Sequence, residues 1–423
     1  MDYEDFVVEE RESLYPWVIL GILTLAQLVM SMGAYVWGPL APVLRDSYNL
    51  SRAQIGTITS ALYFTSVIVA IPSGLAVDRI GARILLIVSL IVMGIPFAVM
   101  ALAKNYAHLL VLAAIGGLGY GMVNQISTKG IMYWFSAKLR ATAMGIKQTG
   151  VTLGGAIIAV LLPALSALYN WRLGVLVVSI LMLVMAMVSL FCYKERPAVS
   201  PEVGGERAFE PARKREKGSL KRVMANPLLI ILCFLTPLMA FGQTCIASFL
   251  ILYLEEDIHF TSGLAGACLT AAMIAGTVGR IGWGVLSDRV FSGDRIRPLI
   301  ILSVVALIGT LGMAFLNKSS AVWLPFLYSV LMGGTFMGWN GVLITLAAEL
   351  AGHELAGSIM GILVTIAWTG IIIGPPVFGF IADEMGYYWG WMTVAAFTII
   401  FNIGFIYLIR LSKTRSKEGQ ASE

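Results

Sequence analysis

The chain consists of long apolar runs separated by short polar segments. A helix needs about 20 apolar residues to cross a hydrocarbon core about 30 Å thick, and twelve runs reach or approach that length. Backbone polar groups in lipid must be satisfied within the segment unless a barrel closes, so each run is predicted to be a helix. The predicted spans 1 to 6 are Trp17–Leu40, Ile55–Val77, Ile84–Ala103, His108–Phe135, Ala141–Leu165 and Trp171–Tyr193. The predicted spans 7 to 12 are Leu228–Leu254, Gly263–Leu286, Leu299–Leu316, Val322–Leu350, Leu355–Ala382 and Tyr388–Leu411.

A polar segment divides these spans into two sets of six. Residues 194–226 are rich in Pro, Gly and charged side chains, which indicates a solvated linker. The pattern predicts an all-α membrane protein with an N-terminal six-helix bundle at residues 1–193, a linker at 194–226 and a C-terminal six-helix bundle at 227–423.

Composition and charge place the chain in a lipid bilayer. Hydrophobic residues make up 58% and charged residues 13%, whereas a soluble domain has about 45–50% and about 25%. The net charge of +5 does not indicate nucleic acid, because the basic residues lie in short loops beside the spans. We predict a monomeric, multi-pass protein of a bacterial or archaeal plasma membrane with both termini cytoplasmic. In that orientation the outer loops hold only Arg45, Arg52, Lys104, Arg172 and Lys318 of the 29 basic residues.

The two halves repeat each other in sequence. Gly74, Asp78 and Arg79 recur at the same spacing as Gly284, Asp288 and Arg289. A second set in spans 4 and 10 pairs Gly116, Gly117, Gly121 and Asn124 with Gly333, Gly334, Gly338 and Asn340. Six-span repeats that rock about a site between them are typical of secondary transporters.

Three ionisable side chains lie inside predicted spans, where charge is costly and therefore indicates function. Lys129 lies about two turns from the cytoplasmic end of span 4, where it either binds substrate or extends to the interface. Lys147 and Arg280 are deeper, roughly 7 to 8 Å from the middle of their spans at about 1.5 Å per residue. No Asp or Glu lies near a span centre, so the natural counter-charge is an anionic substrate. In the alternative, Lys147 is neutral or bonded to backbone carbonyls, and Arg280 reaches solvent in the linker-side cavity.

Polar residues at helical spacing predict the walls of a central cavity. Gln27, Ser31 and Tyr35 share one face of span 1, and spans 4, 7 and 10 carry similar groups. The full predicted substrate-binding set is Arg280, Lys147, Lys129, Tyr35, Tyr120, Asn124, Gln243 and Asn340.

The stretch GLAVDRIGAR, from Gly74 to Arg83, resembles the signature between spans 2 and 3 of the major facilitator superfamily. The resemblance implies twelve helices in two pseudo-symmetric bundles, with spans 5 and 8 facing each other across the halves. It also implies a cytoplasmic gate in which Asp78 and Asp288 sit against helix starts of the opposite half, near Leu355 and Ala141. The implied gate residues are Gly74, Asp78, Arg79, Arg83, Gly284, Asp288 and Arg289.

The stretch that begins at Arg280 is similar to span 8 of the oxalate/formate antiporter and monocarboxylate transporter branches, whose arginine binds the substrate carboxylate. Oxalate exchangers add a lysine in span 11, and Leu355–Ala382 has none, which disfavours oxalate. The sequence thus predicts a secondary active transporter of a small organic anion, by proton-linked symport or anion exchange. It predicts no enzyme activity, cofactor or metal, since His108, His259 and His353 lie at loops. A multidrug or other solute/proton antiporter is the alternative, and a transport-derived receptor is a further one.

Overall fold

The computed structural model describes residues 14–195 and 226–421, and these are helices joined by short turns, without a strand in either range. The N-terminal half holds helices Tyr15–Tyr35 and Trp37–Tyr48 in span 1, then Arg52–Ile80, Ala82–Met100, Tyr106–Trp134, Ala137–Leu168 and Trp171–Cys192 as spans 2 to 6. The C-terminal half holds Pro227–Glu256, Ser262–Val285 with a π-helical turn at Leu286–Val290, Ile296–Ala314, Trp323–Phe336, Trp339–Met385 and Tyr387–Ala421. Twelve segments are long and apolar enough to cross a membrane, which confirms the predicted fold class. Most of the predicted linker lies outside the described residues.

Polar caps set where several helices begin. The Ser51 hydroxyl accepts the Gln54 N–H at 3.1 Å, and the Gln54 side chain accepts the Ser51 N–H at 2.9 Å. This reciprocal capping box satisfies amide donors that the first helical turn leaves unpaired. It starts span 2 at Arg52, while Arg45 lies within the preceding helix. The segment between these two arginines is therefore mostly helical, whereas the sequence pattern assigned it to a loop.

Two predicted spans are interrupted rather than continuous. Span 1 breaks at Val36, and Pro39 explains the break because it has no N–H to donate to the carbonyl of Tyr35. Span 10 breaks between Phe336 and Trp339. Conversely, helical backbone runs on from Trp339 to Met385, so the turn expected between spans 10 and 11 is helical. The span 1 and span 10 breaks both adjoin predicted substrate-binding residues.

The halves are packed tightly on the side away from the linker, called here the far side. A Cβ built on Gly38 of span 1 would lie 2.0 Å from the Ala247 carbonyl oxygen of span 7. One built on Gly56 of span 2 would lie 2.3 Å from the Pro375 oxygen of span 11. Contacts this close require glycine, because any side chain would collide with backbone.

Hydrogen bonds also join the halves on the far side and at mid-depth. The Ser60 hydroxyl donates to the Ile372 carbonyl, and Thr270 donates to the Ala156 carbonyl at 3.1 Å. The contact between Thr277 of span 8 and Thr152 of span 5 lies nearest the linker side. Spans 5 and 8 thus face each other, as expected, and beyond this contact the halves separate to form a cavity.

Candidate functional site

The cavity between the two halves is about 480 Å³ in volume and lies on the linker side of the interface. Asn124, Gln148 and Thr152 line it from the N-terminal half, and Gln243 and Arg280 line it from the C-terminal half. Among the described lining residues there is no Asp or Glu. Its volume falls within the range of about 300–1,000 Å³ that is usual for small-molecule sites.

Arg280 is the cation at the wall of this cavity. Its Nε donates to the Met337 carbonyl at 3.0 Å, and Met337 lies at the break in span 10. The interruption of the helix therefore supplies an acceptor that fixes one edge of the guanidinium. Among the described residues, neither Nη nitrogen has a protein acceptor within hydrogen-bonding distance. Those donors remain available to a ligand.

Lys147 lies behind the wall rather than on it. Its side chain is buried, with 2% exposure, and its Nζ donates to Asn124 Oδ1 at 2.7 Å and to Gln148 Oε1 at 3.2 Å. Two amides thus lie between the Lys147 ammonium group and the cavity.

The amides of the wall are oriented by protein donors. Lys147 holds the oxygens of Asn124 and Gln148, and Trp339 Nε1 donates to Gln243 Oε1 at 3.2 Å. The NH2 groups of Asn124 and Gln148 are therefore left for a ligand, whereas the NH2 group of Gln243 lies beside the Tyr35 hydroxyl. Together with Arg280, these side chains form a wall that offers hydrogen-bond donors, which we call the donor wall: Arg280, Asn124, Gln148 and Gln243. Such a surface suits a ligand that accepts hydrogen bonds and carries negative charge.

Aromatic side chains surround the donor wall. Tyr35 and Tyr120, both predicted to bind substrate, are each 6% exposed and are not among the side chains that line the cavity. Trp368 of span 11 lines the cavity, and the ring of Tyr63 packs edge-on to it at 5.8 Å. Asn340 lines the cavity as well. The pattern missed Gln148 and Trp368, although Gln148 adjoins Lys147 and Trp368 interrupts an aliphatic stretch.

Lys129 does not reach the cavity, in contrast to its predicted role in substrate binding. Its Nζ donates to the carboxylate of Asp78 and to the Val77 carbonyl, the latter at 3.1 Å. It also lies 5.4 Å from the centre of the Tyr133 ring. At its depth in span 4 the flexible side chain extends toward the linker-side end and pairs with the nearest carboxylate. Lys129 therefore contacts the Gly74–Arg83 motif instead of the cavity.

The rest of that motif organises the turn between spans 2 and 3. Gly81 has a φ of 93°, a backbone conformation that favours glycine. Glu195 then caps span 3, accepting the N–H groups of Ala82 and Arg83 at 2.9 and 2.8 Å. The Arg83 guanidinium donates to the Leu190 carbonyl. These contacts tie the turn to the end of span 6, while Arg79 is exposed and Gly74 is loosely packed.

The second copy of the motif is held differently. Asp288 lies in the π-helical turn and pairs with Arg295, whose Nε also donates to Glu349 at 3.0 Å. Arg289 is exposed, and no atom lies within 4 Å of a Cβ built on Gly284. Asp78 and Asp288 therefore each pair within their own half in this state. The side chains at the predicted latch partners, Ala141 and Leu355, lie outside those described.

An ionic cluster closes the far side. Glu256 accepts from Arg45, from Arg52 Nη2 at 2.7 Å and from the Tyr387 hydroxyl at 2.8 Å. Asp383 accepts the backbone N–H groups of Arg52 and Ala53 at 3.0 and 2.9 Å, which caps span 2 from the other half. We call Arg45, Arg52, Glu256, Asp383 and Tyr387 the far-side cluster. The sequence pattern did not predict it.

The described residues do not gather metal ligands. Within residues 14–195 and 226–421, no three His, Cys, Asp or Glu side chains come together as they would for an ion. The four cysteines there are unpaired, and two of them are buried.

Comparisons with known proteins agree with this architecture. The chain is 25% identical over 381 residues to the hexuronate transporter of Bacillus subtilis, covering 85% of this chain and 86% of that protein. It is 26% identical over 351 residues to the membrane sensor protein UhpC of Salmonella typhimurium, covering 78% and 77%. The solved structure of a bacterial homologue of the human lysosomal transporter Spinster, described as inward-facing and unoccupied, superposes with a TM-score of 0.81 at 17% identity, covering 94% and 98%. Residues 23–369 match the Major Facilitator Superfamily, and the chain belongs to that family of membrane transporters.

Proposed function

We propose that the protein carries a small organic anion, a carboxylate, across the membrane by alternating access. The observation that carries this proposal is the donor wall, where Arg280 has free Nη groups and three amides have their oxygens held by protein donors. A carboxylate accepts hydrogen bonds and neutralises the guanidinium, and Arg binds it through two parallel bonds. The relative that carries hexuronate, itself an anion, supports the same reading.

The position of the donor wall suggests how binding drives the transport step. Arg280 belongs to the C-terminal half, whereas Asn124 and Gln148 belong to the N-terminal half. One anion that contacts both favours closure of the linker side, because it binds the closed state better than the open one. Without an anion, closure of the linker side would enclose the unpaired guanidinium of Arg280, which is unfavourable. The substrate itself thereby permits reorientation.

The contacts at the two ends of the protein are consistent with alternating access. With the linker in the cytoplasm, as the distribution of basic residues predicts, the described state is open inward and the far-side cluster is the closed outer gate. Asp78 and Asp288 are then the predicted latches of the inner gate. The described lining residues include no carboxylate to carry a proton. A proton therefore travels with the substrate in symport, or the protein exchanges one anion for another.

Uptake into proteoliposomes tests the proposal. Purified protein is reconstituted at equal amounts as wild type, Arg280→Ala and Arg297→Gln, the last of which removes an exposed arginine outside the cavity. Labelled mono- and dicarboxylates are compared with neutral and cationic solutes. We expect carboxylate uptake by wild type and Arg297→Gln and about tenfold weaker uptake by Arg280→Ala. Because one relative is a sensor, binding without flux would instead identify a receptor. Uptake of only neutral or cationic solutes would contradict the anion proposal.

A further inference from the structure

The cavity presents a single positive charge to a ligand. Arg280 is the one Lys or Arg among the described lining residues. Lys147 is 2% exposed, and both of its hydrogen bonds go to neutral amides. A second carboxylate on the ligand would enter a site without a second free cation, and an uncompensated charge at membrane depth is strongly unfavourable. The charge of the site therefore matches a monovalent anion.

The donor wall also disfavours hydroxyl groups on the ligand. The oxygens of Asn124, Gln148 and Gln243 are already bonded to protein donors. The hydroxyls of Thr149 and Thr236 donate to backbone carbonyls of their own helices at 2.6 Å. Each can therefore accept a hydrogen bond from a ligand only through a remaining lone pair on its oxygen. A substrate hydroxyl needs an acceptor, and a buried donor without one is destabilising. Asn340 also lines the cavity, and its amide oxygen is the one side-chain amide acceptor among the described lining residues without a protein donor, so a ligand with several hydroxyls finds fewer acceptors here than a carboxylate finds donors.

Spans 10 and 11 contribute apolar and aromatic side chains to the cavity lining. Trp368, Leu363 and Trp339 line the cavity from spans 10 and 11. Trp368 is half-buried, and the Tyr63 ring braces it edge-on, with 5.8 Å between ring centres and 70° between planes. At about 480 Å³, the cavity is far larger than a carboxylate group alone. A planar apolar body fills this space and stacks on a fixed indole surface.

From these features we propose that the substrate is a monovalent carboxylate with an aromatic body. This inference rests on the proposed anion function and names the chemical class that the same cavity takes. In the bound arrangement the carboxylate meets the Nη groups of Arg280, and the ring lies against Trp368. Trp368 is then a specificity-determining residue, and Arg280 is the general anion anchor.

Calorimetric titration of the purified protein tests the aromatic monocarboxylate separately from the proposed anion function. The probes are 3-phenylpropionate, its neutral amide, glucuronate and the dicarboxylate succinate. We expect 3-phenylpropionate to bind at least about tenfold more tightly than the other three. Trp368→Ala should weaken it by about tenfold and Trp368→Phe by much less, since a ring is restored. Trp323→Ala is the matched control, because Trp323 is exposed at the first residue of the helix Trp323–Phe336 and does not line the cavity.

The outcomes are distinct for the inference and for the proposed function. Tighter or equal binding of glucuronate or succinate would overturn the aromatic monocarboxylate and leave the anion transporter standing. Undiminished binding of 3-phenylpropionate by Trp368→Ala would likewise overturn the assigned ring position. Equal binding of the acid and its amide, or binding of the amide alone, would contradict the anion function itself. If none of the four probes binds to protein of normal thermal stability, the aromatic monocarboxylate is wrong, and the uptake assay decides the anion function.

Discussion

The far-side cluster should stabilise the state in which the far side is closed, and Glu256→Gln should destabilise that state. Glutamine keeps the shape of glutamate but removes the charge, and its NH2 group faces the donors of Arg45 and Arg52. Wild-type Glu256 accepts from both arginines and from Tyr387. In a state open on the far side these groups would be separated and hydrated, so the substitution affects that state much less.

The size of the effect follows from exposure and charge. Removing one partner of a hydrogen-bonded charge pair costs about 2–5 kcal/mol when the pair is buried. The side chains of Arg52 and Glu256 are 18% and 25% exposed, so solvent screening places the cost near the lower end. About 2 kcal/mol corresponds to a shift of roughly 30-fold in the ratio of the two states. The shift favours opening of the far side.

Spin-label distance measurements can detect this shift. Labels at cysteines replacing Lys104 and Ser319, in a background without native cysteines, report on exposed far-side loops of opposite halves. We expect Glu256→Gln to lengthen the major distance, whereas Asp257→Asn should not. Asp257 is the neighbouring exposed carboxylate and makes no ion pair with the described residues. A distance distribution identical to wild type for Glu256→Gln would refute the role of the cluster as a gate.

Three further predictions concern the linker side and the donor wall. Gly145 lines the cavity, and a Cβ there would meet no atom within 4 Å. Gly145→Leu should therefore leave thermal stability unchanged but stop transport, because the larger side chain blocks closure of the cavity. Gly56→Leu, at a tightly packed position, should instead destabilise the protein. Lys147→Met frees the amide oxygens of Asn124 and Gln148, and we expect weaker anion binding by titration, with a smaller loss than for Arg280→Ala. Asp78→Asn removes the partner of Lys129 and the predicted inner latch, so uptake should slow while binding is retained; normal uptake at normal expression would count against the latch.

The sequence predicts the fold well, because membrane depth imposes a strong length and polarity constraint on each span. The sequence singles out Arg280 for the same reason, and the structure places it at the cavity wall, while its role in binding stays a prediction. Predicted depth does not reveal in which direction a side chain extends. Lys147 has the same predicted depth, but its Nζ donates to Asn124 and Gln148 behind the wall. Lys129 pairs instead with Asp78 of span 2.

Other features depend on contacts between residues far apart in sequence. The acceptor for Arg280 exists because span 10 is interrupted at Met337, and an apolar pattern does not show the interruption. The far-side cluster joins Arg52 to Glu256 and Asp383. Each of these lies at a span end, where charge is ordinary and carries no signal. Only the packing of the two halves brings them together.

In the proposed function, Arg280 of the donor wall binds the negative charge of the substrate. Titration of the best-transported carboxylate and its primary amide into wild type and Arg280→Gln measures this interaction. The two ligands share a body and differ in charge, so the cycle isolates the interaction of that charge with the guanidinium. We predict that wild type prefers the acid by at least about tenfold and that Arg280→Gln loses this preference. An undiminished preference for the acid in Arg280→Gln would contradict the account.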